Sequence, residues 1–216
     1  MAVGLGCLAG FIIVTAFVAS RISQSLDLQA ALLVNNYDLG SVGTTLMIWL
    51  TEYGREVVWS LLVVVMFLFG DKRTKLLAME LAVLFVAGIV IGDLAKLLVG
   101  RARPDPASGI VLRVLAETDP SYPSGHALIV SIGAAFGLAR FRRRILAGLL
   151  GLEAALVCYS RVYVGVHYPL DVTGGVLLGI AIALVGGRVV EKYLVRVLGK
   201  LLEPISMILR EGPLDV

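Results

Sequence analysis

Apolar residues run in long blocks along this chain, and short polar runs separate them. Six blocks read as membrane-spanning helices: residues 1–20, 53–70, 76–99, 125–139, 145–163 and 170–190. In lipid every backbone N–H and C=O needs an internal partner, so blocks of this length predict α-helices. The predicted fold is all-α: one domain over residues 1–216, built as a six-helix transmembrane bundle. Between the first two blocks, residues 22–53 mix polar and apolar positions and predict short interfacial helices. No basic residue precedes the first block and Arg21 follows it directly, which fits a retained anchor better than a cleaved leader. The fourth block, Gly125 to Ala139, rises about 22 Å at about 1.5 Å per residue. That falls short of a hydrocarbon core of roughly 30 Å, so His126 at its start is expected slightly below the outer interface.

Composition agrees with this pattern. Apolar residues make up 58% of the chain and charged residues 16%, whereas soluble domains carry roughly 45–50% and about 25%. A water-soluble fold is excluded. The net charge of +3 is modest, and no nucleic-acid partner is expected. Cys7 and Cys158 fall in blocks that place them near opposite membrane faces, so no disulfide is expected. Lys72, Arg73 and Lys75, then Arg140, Arg142, Arg143 and Arg144, then Arg188, Lys192, Arg196 and Lys200 all fall on one side of the six-helix layout. The positive-inside rule makes that side cytoplasmic, with both termini inside. Residues 191–216, with cations interleaved among apolar positions, predict an amphipathic cytoplasmic tail on the inner leaflet. The opposite side carries the 100–122 loop, the short 165–169 turn and the polar clusters. The active face is therefore expected outside, in the cell membrane.

The chain has two histidines, and both sit in polar clusters. His167 and Asp171 are four apart, and Pro169 favours a helix starting between them. A carboxylate on one ring nitrogen would leave the other as an exposed lone pair, the orienting logic of a nucleophilic imidazole. A simple His–Asp cap on the last helix fits the same spacing. The Pro123-Ser124-Gly125-His126 run sits where a loop enters a helix. Free N–H groups at such a terminus bind anions, Ser124 suits the N-cap, and His126 beside bound phosphate would be held protonated as a general acid. Lys96, Arg101, Arg103 and Arg161 add cations at the same membrane face. Snorkelling explains any one of them; their convergence with both histidines points to phosphoryl chemistry, where positioning and charge stabilisation dominate.

Lys96 with Arg103-Pro104 seven positions on, then Pro123-Ser124-Gly125-His126, then Ser160-Arg161 with His167 and Asp171 form a three-part pattern. It resembles the signature of the type 2 phosphatidic acid phosphatase superfamily of lipid phosphatases, shared with vanadium haloperoxidases and bacterial non-specific acid phosphatases. The resemblance implies that His167 attacks phosphorus, Asp171 orients it, and His126 serves as general acid and then base. It implies that Lys96, Arg103, Ser124, Gly125 and Arg161 cradle the phosphoryl oxygens, with no metal and no other cofactor. Arg101 is a further contact outside the fixed positions. Asp93, one turn below Lys96, is expected to hold that lysine in place. Glu153 is expected to make an interhelical hydrogen bond, and the Gly133/Gly137 and Gly175/Gly179 pairs to pack helices closely. Glu117, Asp119 and Tyr122 lie in the outer loop, either near a headgroup or solvated.

The expected activity is hydrolysis of a terminal phosphate from a lipid: a polyprenyl diphosphate, phosphatidylglycerol phosphate or phosphatidate. The expected partners are that substrate and membrane lipids. A phosphotransferase with an acceptor other than water is the alternative within the family. An anion or lipid transporter is the alternative outside it, disfavoured because the polar residues gather at one face and no internal repeat is evident.

Overall fold

The computed structural model describes residues 1–194. The tail expected over 191–216 lies outside the described residues except for its first four positions. Helix α1 spans Ala2–Ala19, α2 Gln24–Asn35 and α3 Gly40–Trp49. A π-helical stretch, Leu50–Val58, carries α3 directly into α4, Trp59–Phe69. Then come α5 (Lys72–Val99), a long loop with one short 3₁₀ turn, α6 (Gly125–Arg140), α7 (Arg144–Tyr163) and α8 (Pro169–Ala181). The helical path of α8 continues to Leu194.

Among the described residues, four helices are long and apolar enough to cross a membrane: α1, α5, α7 and the helix from Pro169 to Leu194. The α6 helix is apolar but shorter. The helix of the expected second span, 53–70, runs on without a break from Gly40 to Phe69, and the π stretch holds Glu52, Arg55 and Glu56 within it. Those charged residues hid the helical continuity, because hydropathy reads a polar triplet as a boundary.

Local sequence sets the helix ends nearest the polar clusters. The Asp71 side chain caps α5 by accepting from the Thr74 N–H at 2.8 Å. Gly100 ends α5 in the left-handed region (φ 60°), with its N–H on the Lys96 carbonyl. Ser124 caps α6, accepting from the Ala127 N–H at 3.4 Å. Pro169 occupies the first position of α8.

Buried for most of its length, α6 packs between α5, α7 and α8. Its Leu128, Ile132 and Phe136 meet Trp59, Leu81, Leu84 and Leu178 in the main apolar core. The Gly175/Gly179 pair lets the α8 backbone touch that of α6. An added Cβ would lie 2.5 Å from the Ser124 carbonyl at Gly175 and 2.5 Å from the Leu128 carbonyl at Gly179. Gly133 instead receives the Trp59 ring, and Gly137 faces Phe141. Exposed apolar side chains such as Ile12, Ile13, Phe67, Leu68, Val86 and Leu97 cover the outward faces of α1, α4 and α5, as contact with lipid demands.

Two polar contacts brace the bundle. Trp59 Nε1 donates to Glu153 at 3.0 Å, the expected interhelical bond. Arg140 joins Glu80 (2.8 Å) to Glu191 (2.6 Å) at the end remote from the histidines. The α2 helix does more than lie at an interface: Asp27, Ala31 and Asn35 are buried along one face. Asn35 donates to the carbonyls of Val111 (2.9 Å) and Tyr163 (2.8 Å) and accepts from the Val111 N–H (2.8 Å). That helix is a cap over the end of the bundle that holds the histidines.

Gly179→Val should lower the thermal midpoint in detergent, with a loss of about 1–3 kcal/mol from overpacking. Gly148→Ala on α7, where an added Cβ meets nothing within 4 Å, should leave the midpoint unchanged or slightly raised.

Candidate active site

The C-terminal ends of α5 and α7 and the N-terminal ends of α6 and α8 meet at one end of the bundle, under the 100–122 loop. Arg161, in the last turn of α7, is only 2% exposed. Its Nη1 donates to Thr51 Oγ1 at 2.8 Å, its Nη2 to Glu117, and its buried Nε has no partner among the described residues. Arg103 donates from Nη1 to the Val166 carbonyl at 2.8 Å and lies 3.2 Å from His167 Nε2. Its Nη2 pairs with Glu117 (2.6 Å) and Asp119 (2.8 Å). Lys96 Nζ also pairs with Asp119. Two carboxylates therefore tie together three cations that converge on one imidazole.

His167 is buried in the turn between α7 and α8. Burial, then the charges of Arg161 and Arg103, hold its imidazole well below its ordinary pKa, so the ring is neutral. Nδ1 lies 3.5 Å from Asp171 Oδ2 and makes no hydrogen bond, a looser contact than the four-residue spacing predicts. Asp171 is already engaged. Its Oδ2 accepts from the Tyr168 N–H (2.9 Å) and its Oδ1 from Arg101 Nη1 (2.6 Å). The Asp171 carbonyl also accepts from the Ser124 N–H at 3.0 Å, which joins the start of α8 to the Pro123–His126 run.

Arg101 is the hinge of a wider network. Its Nη2 pairs with Asp27 at 2.7 Å, and its guanidinium lies 4.1 Å from the centre of the Tyr168 ring. Asp27 also accepts from the Leu170 N–H at 3.0 Å. A cleft of about 660 Å³ opens beside Arg101 and Tyr168, and neither histidine lines it.

On the other flank, His126 in the first turn of α6 places Nε2 3.9 Å from Glu56 Oε1. The charges of Arg161, Arg55 and Lys96 reach this buried ring. An added Cβ at Gly125 would lie 3.8 Å from Arg55 Nη1 and 4.0 Å from Lys96 Nζ, so the glycine leaves room between two cations. The expected Asp93–Lys96 pairing is corrected: Lys96 turns to Asp119, and Asp93 is exposed.

The structure thus brings together Lys96, Arg101, Arg103, Ser124, Gly125, His126, Arg161, His167 and Asp171. Thr51, Arg55, Glu56 and Asp27 also reach the site, and sequence reasoning missed them. Asp27 carried a faint signal, since it shares one helical face with Ala31 and Asn35. Glu117 and Asp119 are counter-ions of the cations rather than solvated loop residues. Burial opposes ionisation of both, but the neighbouring cations win; Arg161 and Arg103 lower Glu117, and hydrogen bonds from Lys96 and Arg103 bring Asp119 to about 2. Such a cluster, with neutral imidazole, fixed cations and free N–H groups at a helix start, suits a tetrahedral oxyanion.

The PAP2 superfamily sequence profile matches residues 76–193, more than half of the chain and the whole stretch that carries the three-part pattern. The chain belongs to the PAP2 superfamily. It is 44% identical to an undecaprenyl-diphosphatase of Sulfolobus acidocaldarius over 146 residues, covering 67% of this chain and 69% of the relative. It is 32% identical to undecaprenyl-diphosphatase BcrC of Bacillus subtilis, over 66% of this chain and 72% of that one. The fold matches a transmembrane PAP2-type phosphatidylglycerolphosphate phosphatase from Bacillus subtilis with a TM-score of 0.72 at 23% identity, covering 89% and 98% of the two chains. Aquifex aeolicus LpxE matches with a TM-score of 0.60 at 26% identity, over 78% and 96%. This PAP2 protein is a membrane-embedded hydrolase of the phosphatase type.

Two outcomes follow from the geometry. Arg101→Ala strands two buried carboxylates and should cost about 3–5 kcal/mol, read as a lower thermal midpoint together with lost turnover. Glu117→Gln combined with Asp119→Asn frees the cations and should lower the inhibition constant of orthophosphate about two- to tenfold, since each such pair is worth about 0.2–1 kcal/mol. The Asp119 pairs are fully present above the ordinary carboxylate range and fade only as pH falls towards about 2. Acidifying from pH 7 to 5 should therefore not reproduce the effect of the double variant.

Proposed function

We propose that this PAP2 protein removes the terminal phosphate of a polyprenyl diphosphate at the extracytoplasmic face of the cell membrane. The observation that carries this reading is the neutral, buried His167 ring, whose Nε2 faces Arg103 at 3.2 Å among Lys96 and Arg161. An uncharged Nε2 lone pair beside fixed cations is what attack on an anionic phosphoryl group needs. The identity to undecaprenyl-diphosphatases supports a polyprenyl diphosphate over phosphatidate or phosphatidylglycerol phosphate.

In the first step Nε2 of His167 bonds to the terminal phosphorus as the P–O bond to the bridging oxygen breaks. His126, protonated when the anionic diphosphate binds beside it, gives that proton to the departing oxygen. Lys96, Arg103, Arg161, the Ser124 hydroxyl and the N–H groups at Gly125 hold the three phosphoryl oxygens as charge moves among them. Asp171, fixed by Arg101 and the Tyr168 N–H, keeps the imidazole in position and stabilises the charge it acquires. In the second step water attacks the phosphohistidine, His126 takes its proton, and orthophosphate leaves with the N–P bond broken. The outward orientation rests on the basic residues at the far ends of the helices, Lys72, Arg73, Lys75 and Arg140 to Arg144 among them.

Purified protein in detergent with EDTA should release orthophosphate from a polyprenyl diphosphate faster than from phosphatidate or phosphatidylglycerol phosphate. Orthovanadate, a mimic of five-coordinate phosphorus, should inhibit it. His167→Ala should reduce kcat by about 10⁴-fold or more, as loss of a nucleophile does. Unchanged turnover in that variant would remove His167 from the reaction.

A further inference from the structure

The π-helical stretch Leu50–Val58 supplies the site with groups that the three-part pattern does not contain. Thr51 holds Arg161, Glu56 stands beside His126, and Arg55 approaches Gly125. Insertions of this kind inside a helix occur often at functional sites, because they turn side chains out of register. The orientation of Arg55 is specific. Its Nε donates to Glu56 Oε1 at 2.6 Å and its Nη2 donates to the same oxygen. Nη1 is left without a hydrogen bond among the described residues, 3.8 Å from where a Cβ at Gly125 would sit. Lys96, Arg103 and Arg161 are all met by Glu117 or Asp119. Arg55 has only the neighbour that turns it.

The side on which Arg55 lies gives it a role. The proposed nucleophile, His167, stands with Arg103 on one flank, and the proposed proton donor, His126, stands on the other. The departing oxygen must lie next to His126, and Arg55 is on that flank with Glu56 between it and the ring. An alcohol leaving group has no charge for a guanidinium to hold. A phosphate-ester leaving group does, and its oxygens would sit one P–O–P link beyond the transferred phosphorus. We propose that Arg55 binds the phosphate that stays with the lipid, and so selects a diphosphate over a monophosphate. This rests on the phosphatase reading above and adds the residue that sets substrate class. During transfer, Arg55 stabilises the negative charge that moves onto the lipid monophosphate as the bridging P–O bond breaks and His126 supplies the proton.

The test compares kcat/KM for a polyprenyl diphosphate with that for the monophosphate of the same chain length. In Arg55→Gln the diphosphate-to-monophosphate ratio should fall about tenfold or more, the factor one charge-assisted hydrogen bond supplies. Arg55→Lys should recover part of that ratio. A ratio equal to wild type in an active Arg55→Gln enzyme overturns the assignment, even if both rates drop. Should Arg55→Gln fail to fold, competition on the wild-type protein decides. Methylenediphosphonate should then inhibit about tenfold more tightly than methylphosphonate, and equal inhibition overturns the assignment. A wild-type protein that releases phosphate from neither lipid sinks both readings, whereas an unaltered ratio in an active variant sinks only the role of Arg55.

Discussion

One guanidinium, that of Arg101, holds the histidine-bearing end of this bundle in register. It sits between Asp27 of α2 and Asp171 of α8, with Tyr168 stacked beneath it, and so joins elements that are far apart along the chain. Charges this well buried are tolerable only when paired, because removing either sign leaves the other desolvated. The arrangement therefore has one solution. With Arg101 in place, Asp171 cannot turn away, the His167 turn is fixed above it, and α2 is drawn down as a lid on the polar cluster. Asp27 further accepts from the Leu170 backbone, so the first turn of α8 is held from two directions. The imidazole does not choose its orientation alone; a chain of ion pairs chooses it.

The second constraint is backbone contact. Glycines on α8 let its backbone meet that of α6 at van der Waals distance beside Ser124 and Leu128. The Ser124 N–H then reaches the Asp171 carbonyl. The helix that carries His126 and the helix that orients His167 are thus one unit. The two imidazoles keep their spacing without any direct bond between them.

How much of this was legible in the sequence depends on the range of each interaction. The α-helical membrane class, the cap at Ser124 and the α8 start at Pro169 are set by neighbours a few residues away, and the pattern of residues predicted them. Lys96, Arg103, Ser124, His126, Arg161, His167 and Asp171 stood out because their spacing is local within each motif. Thr51, Arg55 and Glu56 act across the fold, and nothing in their own neighbourhoods announces that; Asp27 gave only the faint signal of a shared helical face. The continuity of the second span's helix back to Gly40 was hidden for a related reason. A polar triplet inside a helix looks like an end until the site it faces is known. Asp93 erred in the opposite direction: a one-turn spacing invited a pairing with Lys96, and a distant loop carboxylate took that lysine instead.

Glu117 and Asp119 bear on what happens after the reaction. Three cations strong enough to hold a phosphoryl group in flight would also hold orthophosphate, and a site of that kind stalls on its own product. Here two tethered carboxylates stand ready to reclaim the guanidinium and ammonium groups as the product loosens. In the proposed reaction the cations would pass from the phosphate's oxygens back to those of Glu117 and Asp119. In that reaction the loop would serve as an internal eluent, with the carboxylates that guard the site at rest also clearing it.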